Sequence, residues 1–337
     1  MGMTHADAFW FAKHHFRRDT LVAARKLVNN VRRELNKQMN DSNWLSNDAK
    51  IAVQEKLKKI KILIGFPWWH KNRTAVEYHY EGLTIGDDYV ANVLSFRKYQ
   101  KRTGIRVFAG RERQDGWTTS PLGTGAGYVF DVNIVNAPAG TFQPPFFSSK
   151  LPDYVHYAIV GMIVGHEMGH GFDNTRITTN VSGFHNMLNR DILAKYREQY
   201  SCIERQFSNY SGGDEWAFRK LDENIADVIG MQSALGAYQR LRLNERSSGE
   251  FKLPGFEKFS DEQMFFIAYG WGFCEVIAPG YEMPLHSEHS PPEFRVNSGV
   301  SNAPEFGRAF KCPLGSPMNP ADKCSIWIQP ITLPGSS

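Results

Sequence analysis

The chain has 337 residues, is 42% apolar and 22% charged, and carries a net charge of +4 spread along its length. That length suits one large domain or two modest ones, with ample material for a core. The even charge excludes the basic block of a nucleic-acid or membrane-surface binder, and no apolar run is long enough to span a membrane.

In chain order, the first twenty residues, MGMTHADAFWFAKHHFRRDT, have neither the apolar region nor the small-residue cleavage site of a signal peptide. They also lack the Ser or Thr of a myristoylation signal. Residues 19–40 place Leu21, Ala24, Val28, Val31 and Leu35 at helical spacing. Ser46 is the expected N-cap of a second helix reaching about Ile64, with Ile51, Leu57, Ile60 and Ile64 inward and its lysines on a solvated face. Gly65-Phe66-Pro67 stops it, and residues 87–101 read as a third helix. The stretch 103–127 is turn-rich, and YVFDVNIV (128–135) reads as a strand. An apolar helix is expected over 153–171, followed by helices at 189–208, 216–240 and 261–277. From about 279 the chain is loop-rich, with a short helix near 303–310. The fold class is mainly α (α+β) with a small β-sheet.

The helix at 153–171 carries His166-Glu167-x-x-His170. Positions i and i+4 share a helix face, so two imidazoles can aim at one point. Tetrahedral zinc accepts that bite. Glu167 lies about 100° around the helix, where it reaches a metal-bound water rather than the metal and serves as general base. Two histidines in so apolar a helix are costly to bury unless something binds them. A catalytic zinc needs a third ligand, and Glu223 in LDENIAD (221–227) is the candidate. Asp227, one turn on, is placed to hold a histidine ring from behind. By itself, ExxxD would be a solvated acidic face.

HExxH followed by ENIAD resembles the neprilysin / endothelin-converting-enzyme family of zinc metallopeptidases. The segments IKILIGFP (60–67), PAGTFQPPFF (138–147), HEMGHGFD (166–173), HSPPEFRV (289–296), FGRAFKC (306–312) and PMNPADKCSIW (317–327) resemble family signatures in family order. The resemblance implies a thermolysin-like catalytic domain whose small sheet carries a substrate-binding edge strand. It implies one zinc ion per chain, held by His166, His170 and Glu223, with Glu167 as base and Asp227 orienting a ligand histidine. It makes His289 the oxyanion stabiliser and Arg295 the partner of a substrate carbonyl, roles that charge developing in a transition state explains. It implies peptide substrates cut before bulky apolar residues, which Phe146, Met162, Ile163 and Phe273 would receive. These four would otherwise read as core.

The cysteines, Cys202, Cys274, Cys312 and Cys324, form no CxxC pair, and by themselves are free thiols or disulfides. The resemblance pairs Cys202 with Cys324, and pairs the other two positions with cysteines close to a membrane anchor. Family members carry that anchor and an N-terminal lobe ahead of the matched part. The chain is therefore expected to be the C-terminal half of such an architecture, with residues 1–110 its helical part, 111–337 its catalytic region, and the absent lobe a candidate partner. The resemblance implies an extracellular or cell-surface setting. Sequons at Asn40, Asn72, Asn180 and Asn209 point the same way. No membrane contact is expected of this chain itself. Two positions depart from the pattern. Gly125, in Gly125-Ala126-Gly127-Tyr128, stands where the family has the Asn that holds the substrate backbone beside Ala126, and Asp222 replaces a Gly before Glu223. The alternative reading is a weakly active zinc-bearing protein with a binding role.

Overall fold

The computed structural model describes residues 3–110, 116–117, 119–148, 150–179, 187–211, 218–244, 250–280 and 287–328. Helices α1 (Thr4–His14), α2 (Arg18–Asp41) and α3 (Asn47–Lys59) come first. Helix α2 buries Ala24, Val28, Val31 and Leu35, the stripe its spacing predicts. Ser46 caps α3 by accepting from the Ala49 amide at 3.3 Å.

Two expectations for this helix fail. It ends at Lys59, and Lys61–Gly65 is strand β1. Its inward face is Ala49, Val53, Lys56 and Leu57, while Ile51 is 57% exposed. Lys56 is buried because its ammonium donates to the Arg176 carbonyl at 2.7 Å and the Thr179 carbonyl at 2.8 Å. Those carbonyls close the loop after the HExxH helix, so a polar pairing with a remote segment overrides the amphipathic count.

Short α4 (Arg73–His79) and the long α5 (Tyr89–Phe108) follow. YVFDVNIV is not one strand. β2 (Gly127–Val129) and β3 (Ile134–Pro138) are joined by a turn in which Asn133 takes a left-handed conformation, φ 53°. The sheet order is β1-β3-β2, with β1 parallel and β2 antiparallel to β3, so β2 is an outer edge. Gly125 and Ala126 lie just before it rather than within it.

The motif helix begins as α6 (Asp153–His156), passes through one π turn at Tyr157–Gly161, and continues as α7 (Met162–Gly169). It packs chiefly against α9 (Leu221–Asn244), with α2 behind both and the sheet on its other side. α8 (Arg190–Ser211), α10 (Asp261–Gly272), α11 (Pro292–Ser301) and α12 (Pro304–Phe310) complete the fold. Helix α10 stops at Gly272, short of the expected 277, and Val276 is 99% exposed. The α11 helix falls in the stretch expected to be loop. It starts on Pro292, where a proline costs no hydrogen bond. A Cys202–Cys324 disulfide ties α8 to the C-terminal segment, and Cys274 and Cys312 are free. Asn40, Asn72 and Asn209 are exposed, and Asn180 lies outside the described residues.

Candidate metal centre

The site is assembled where α7 and α9 approach each other. Their backbones touch because glycines face glycines. A Cβ on Gly165 would come within 2.7 Å of Ser233 Oγ and 2.9 Å of Gly230 Cα, and one on Gly230 within 2.7 Å of the His166 amide. Any larger side chain would push Glu223 away from the histidines.

His166, His170 and Glu223 are the one group of three potential ligands among the described residues whose donor atoms lie within 4.8 Å of one another. His166 Nε2 lies 3.0 Å from His170 Nε2 and 3.2 Å from Glu223 Oε2, and His170 Nε2 lies 3.5 Å from Glu223 Oε1. Zinc bonded tetrahedrally at about 2.0–2.1 Å needs ligand edges of roughly 3.3 Å, so the triangle fits that ion. Glu223 Oε2 is buried, and although two ring nitrogens stand within 3.2 Å, none is aligned as a hydrogen-bond donor to it. Burial disfavours its charge, but His166, His170 and His289 outweigh that and hold the Glu223 carboxyl far below the usual carboxylate range.

Each histidine is held from behind. His166 Nδ1 meets Asp227 Oδ1 at 2.7 Å, and His170 Nδ1 meets Asp173 Oδ2 at 3.1 Å. Such a carboxylate fixes which ring nitrogen faces forward. Asp227 is 3% exposed and also accepts from Arg295 Nε and Nη2, each at 2.7 Å. Burial opposes its charge, but Arg295 and then His166 outweigh it and keep the Asp227 carboxyl well below the usual range. Asp173 is fully buried and accepts from the Arg176 amide at 2.8 Å and from its guanidinium. The sequence already shows Asp173, in HGFD, but its role needed the chain to turn back beneath His170.

His289 is half exposed and stands 3.0 Å from Glu223 Oε2, with its ring 6.0 Å from that of His166. Two residues to which the sequence motifs assign no role, Lys220 and Asn224, anchor its loop. Lys220 donates to the His289 carbonyl at 3.0 Å, and Ser290 donates to buried Asn224 at 2.7 Å. Glu167 is buried on α7 directly after His166. Asp222 is bonded by the Thr175 amide at 3.2 Å and by the Thr175 hydroxyl, with Arg176 at 3.8 Å, but burial and then the charge of Asp173 outweigh these and raise its carboxyl above the usual range.

The four expected pocket residues are placed differently from one another. Met162 is buried at 3%, Ile163 is half-buried against the core, and the Arg295 guanidinium sits 4.8 Å over the Phe273 ring. Phe146 is 37% exposed and packs on Trp271 at 5.4 Å, an aromatic partner that no local pattern in the sequence indicates.

The chain is similar in sequence and in fold to known proteins. The sequence matches peptidase family M13 over residues 125–326, and a second pattern of the same family over residues 2–67. It is 30% identical to an endothelin-converting enzyme homolog of Locusta migratoria over 94% of this chain and 44% of that one. It is 31% identical to membrane metallo-endopeptidase-like 1 of Mus musculus over 96% of this chain and 44% of that one. The chain thus spans less than half the length of these relatives. In fold it resembles an inhibitor-bound zinc metalloprotease of Mycobacterium tuberculosis (TM-score 0.75, 24% identity, 91% of this chain and 46% of that one). It also resembles a Haemonchus galactose-containing glycoprotein complex (TM-score 0.81, 23% identity, 95% and 52%). With both patterns matched in order, and the first alone covering more than half of the residues, the chain belongs to peptidase family M13.

Proposed function

We propose that this chain is the catalytic part of a zinc-dependent endopeptidase that hydrolyses oligopeptides, on the amino side of bulky apolar residues. The observation that carries the reading is the ligand triangle of His166, His170 and Glu223, of the size zinc requires and backed by Asp227 and Asp173. A zinc ion held there would supply Lewis-acid polarisation of the scissile carbonyl and a water of lowered pKa.

The remaining steps fall to the chain's own groups. Glu167 takes a proton from the attacking water and passes it to the leaving amine. His289, on the open side, donates to the oxyanion as it develops. Arg295 spends Nε and Nη2 on Asp227, which leaves Nη1 for a substrate carbonyl. Ala126 offers backbone to the peptide beside edge strand β2, by strand addition. Phe146, Met162, Ile163 and Phe273 form the apolar side, with Trp271 extending it. Residues 1–110 and 111–337 act as one unit, since α2 packs on both α7 and α9.

The setting we propose is extracellular or cell-surface. The disulfide, which oxidising compartments favour, and the exposed sequons at Asn40, Asn72 and Asn209 support it. Among the described residues no helix is long and apolar enough to cross a membrane.

The test is Glu167→Gln. Zinc content should stay at about one per chain while peptide cleavage falls by about 10²- to 10⁴-fold. A folded, zinc-loaded wild-type chain that cleaves nothing in a broad peptide library would sink the reading. A second reading, a weakly active zinc-bearing protein with a binding role, is favoured by Gly125, which offers no side-chain amide to a substrate.

A further inference from the structure

A cleft among the N-terminal elements is lined by none of the residues assigned to the metal centre or to peptide hydrolysis. It lies between α1, the start of α2, the segment joining β1 to α4 and the start of α4, none of which supplies a metal-centre residue, and it holds about 490 Å3. Small-ligand sites commonly fall in the range of roughly 300–1,000 Å3.

Its floor is aromatic. Phe16 is 8% exposed and meets Phe66 edge-on at 5.3 Å. Phe9, on α1, lines the same space and is half-buried without joining the main core. Helix α1 is fastened at its first turn, where the His5 amide donates to Tyr80 Oη at 3.0 Å and His5 Nδ1 meets His70 Nε2 at 2.9 Å. Farther along, Ala12 and Lys13 of the same helix line the space with Phe16 and Phe66.

The rim is cationic. Lys13, Arg17, Arg18, Lys71 and Arg73 line the cleft, and no Asp or Glu does. Arg17 is paired with Asp19 at 2.9 Å, and Arg73 with Glu77 at 2.8 Å. Lys13, Arg18 and Lys71 have no carboxylate partner among the described residues. Three unmatched like charges above an apolar floor repel each other, and an anion with an apolar body relieves that repulsion while covering the rings. Neither half of such a ligand suffices. A bare anion meets exposed, hydrated cations worth little each, and an uncharged chain leaves the repulsion in place.

We propose that this cleft binds an amphiphilic anion, a single acyl or aryl body carrying a carboxylate or phosphate head. The body lies on Phe9, Phe16 and Phe66, and the head sits among Lys13, Arg18 and Lys71. The site is independent of the metal centre, so the peptidase reading can fail without it and the reverse.

Dodecyl phosphate, below its micelle-forming concentration, titrated calorimetrically into the full chain is expected to show one saturable site. Dodecanol and inorganic phosphate should each bind at least about tenfold more weakly. The triple variant Lys13→Gln, Arg18→Gln, Lys71→Gln changes only exposed side chains. It should keep the thermal transition and weaken dodecyl phosphate at least about tenfold. Glu167→Gln should bind dodecyl phosphate like the wild type. Sedimentation with phosphatidylserine vesicles separates the sources. Capture that the triple variant loses assigns the anion to a bilayer, and binding of dodecyl phosphate without vesicle capture assigns it to a free amphiphile. Absent saturable binding, equal binding by the triple variant, or equal binding of dodecyltrimethylammonium would overturn the proposal.

Discussion

Replacing Asp227 with Asn probes the centre without changing its shape. The carboxylate receives three donors, His166 Nδ1, Arg295 Nε and Arg295 Nη2, each at 2.7 Å. An amide of the same size keeps one acceptor oxygen and turns an NH2 toward at least one of those donors. Leaving one member of a buried ion pair uncompensated costs about 3–5 kcal/mol. The Arg295 side chain keeps 16% of its exposure, so the low end, about 3 kcal/mol, is expected for the metal-free chain. The His166 ring also loses the charge that selects its tautomer, and zinc affinity should fall about 10- to 100-fold, or roughly 1.4–2.7 kcal/mol. Because the Asp227 carboxyl is held below its usual range, its contribution is complete above about pH 4 and lost as pH falls through the depressed value. Neutral pH therefore reads the full effect. Two measurements are needed: chelator-competition zinc affinity, and the denaturant midpoint of the metal-free protein. A folded variant with zinc affinity within twofold of wild type would refute the claim that Asp227 holds His166 in place.

Three further outcomes are expected. Gly125→Asn should raise peptide turnover about 10- to 100-fold by restoring a side-chain amide, since a Cβ there meets nothing within 4 Å; unchanged kcat/KM would remove the case for an impaired site. Burial lowers the Lys56 ammonium to about 8, so its charge destabilises the fold below that pH and the penalty shrinks as pH rises toward 10.5. Wild-type stability measured against Lys56→Met should therefore climb between about pH 8 and 10.5, by on the order of 2–3 kcal/mol, and a flat difference would contradict the assignment. The Cys202–Cys324 bond closes a separation of 122 residues, and its removal by a double Ser substitution should cost about 2–5 kcal/mol, read from chemical unfolding under non-reducing conditions; no loss would show that the bridge does not form.

Much of the centre is legible in the sequence because its chemistry is written at helical spacing. His166 and His170, and again Glu223 and Asp227, are pairs four apart, and a helix puts such pairs on one face whatever surrounds it. Elsewhere local pattern misleads for definite reasons. The run KILIG continues the apolar rhythm of α3 but pairs with Ile134–Pro138, a partner far along the chain that periodicity cannot see. Lys56 reads as solvated because lysine usually is, and it is buried because two remote carbonyls need a donor. Asp173, Lys220 and Asn224 look like ordinary polar residues until the chain returns past His170 and His289.

The spacing in HEMGH by itself determines that two imidazoles share one helix face and that a carboxylate stands beside them, since those follow from the 3.6-residue turn alone. Only the tertiary structure decides that Glu223 closes the triangle. That distance depends on α7 and α9 meeting at Gly165 and Gly230, and contact between backbones so far apart in the chain is set by what fits between them, not by any local preference.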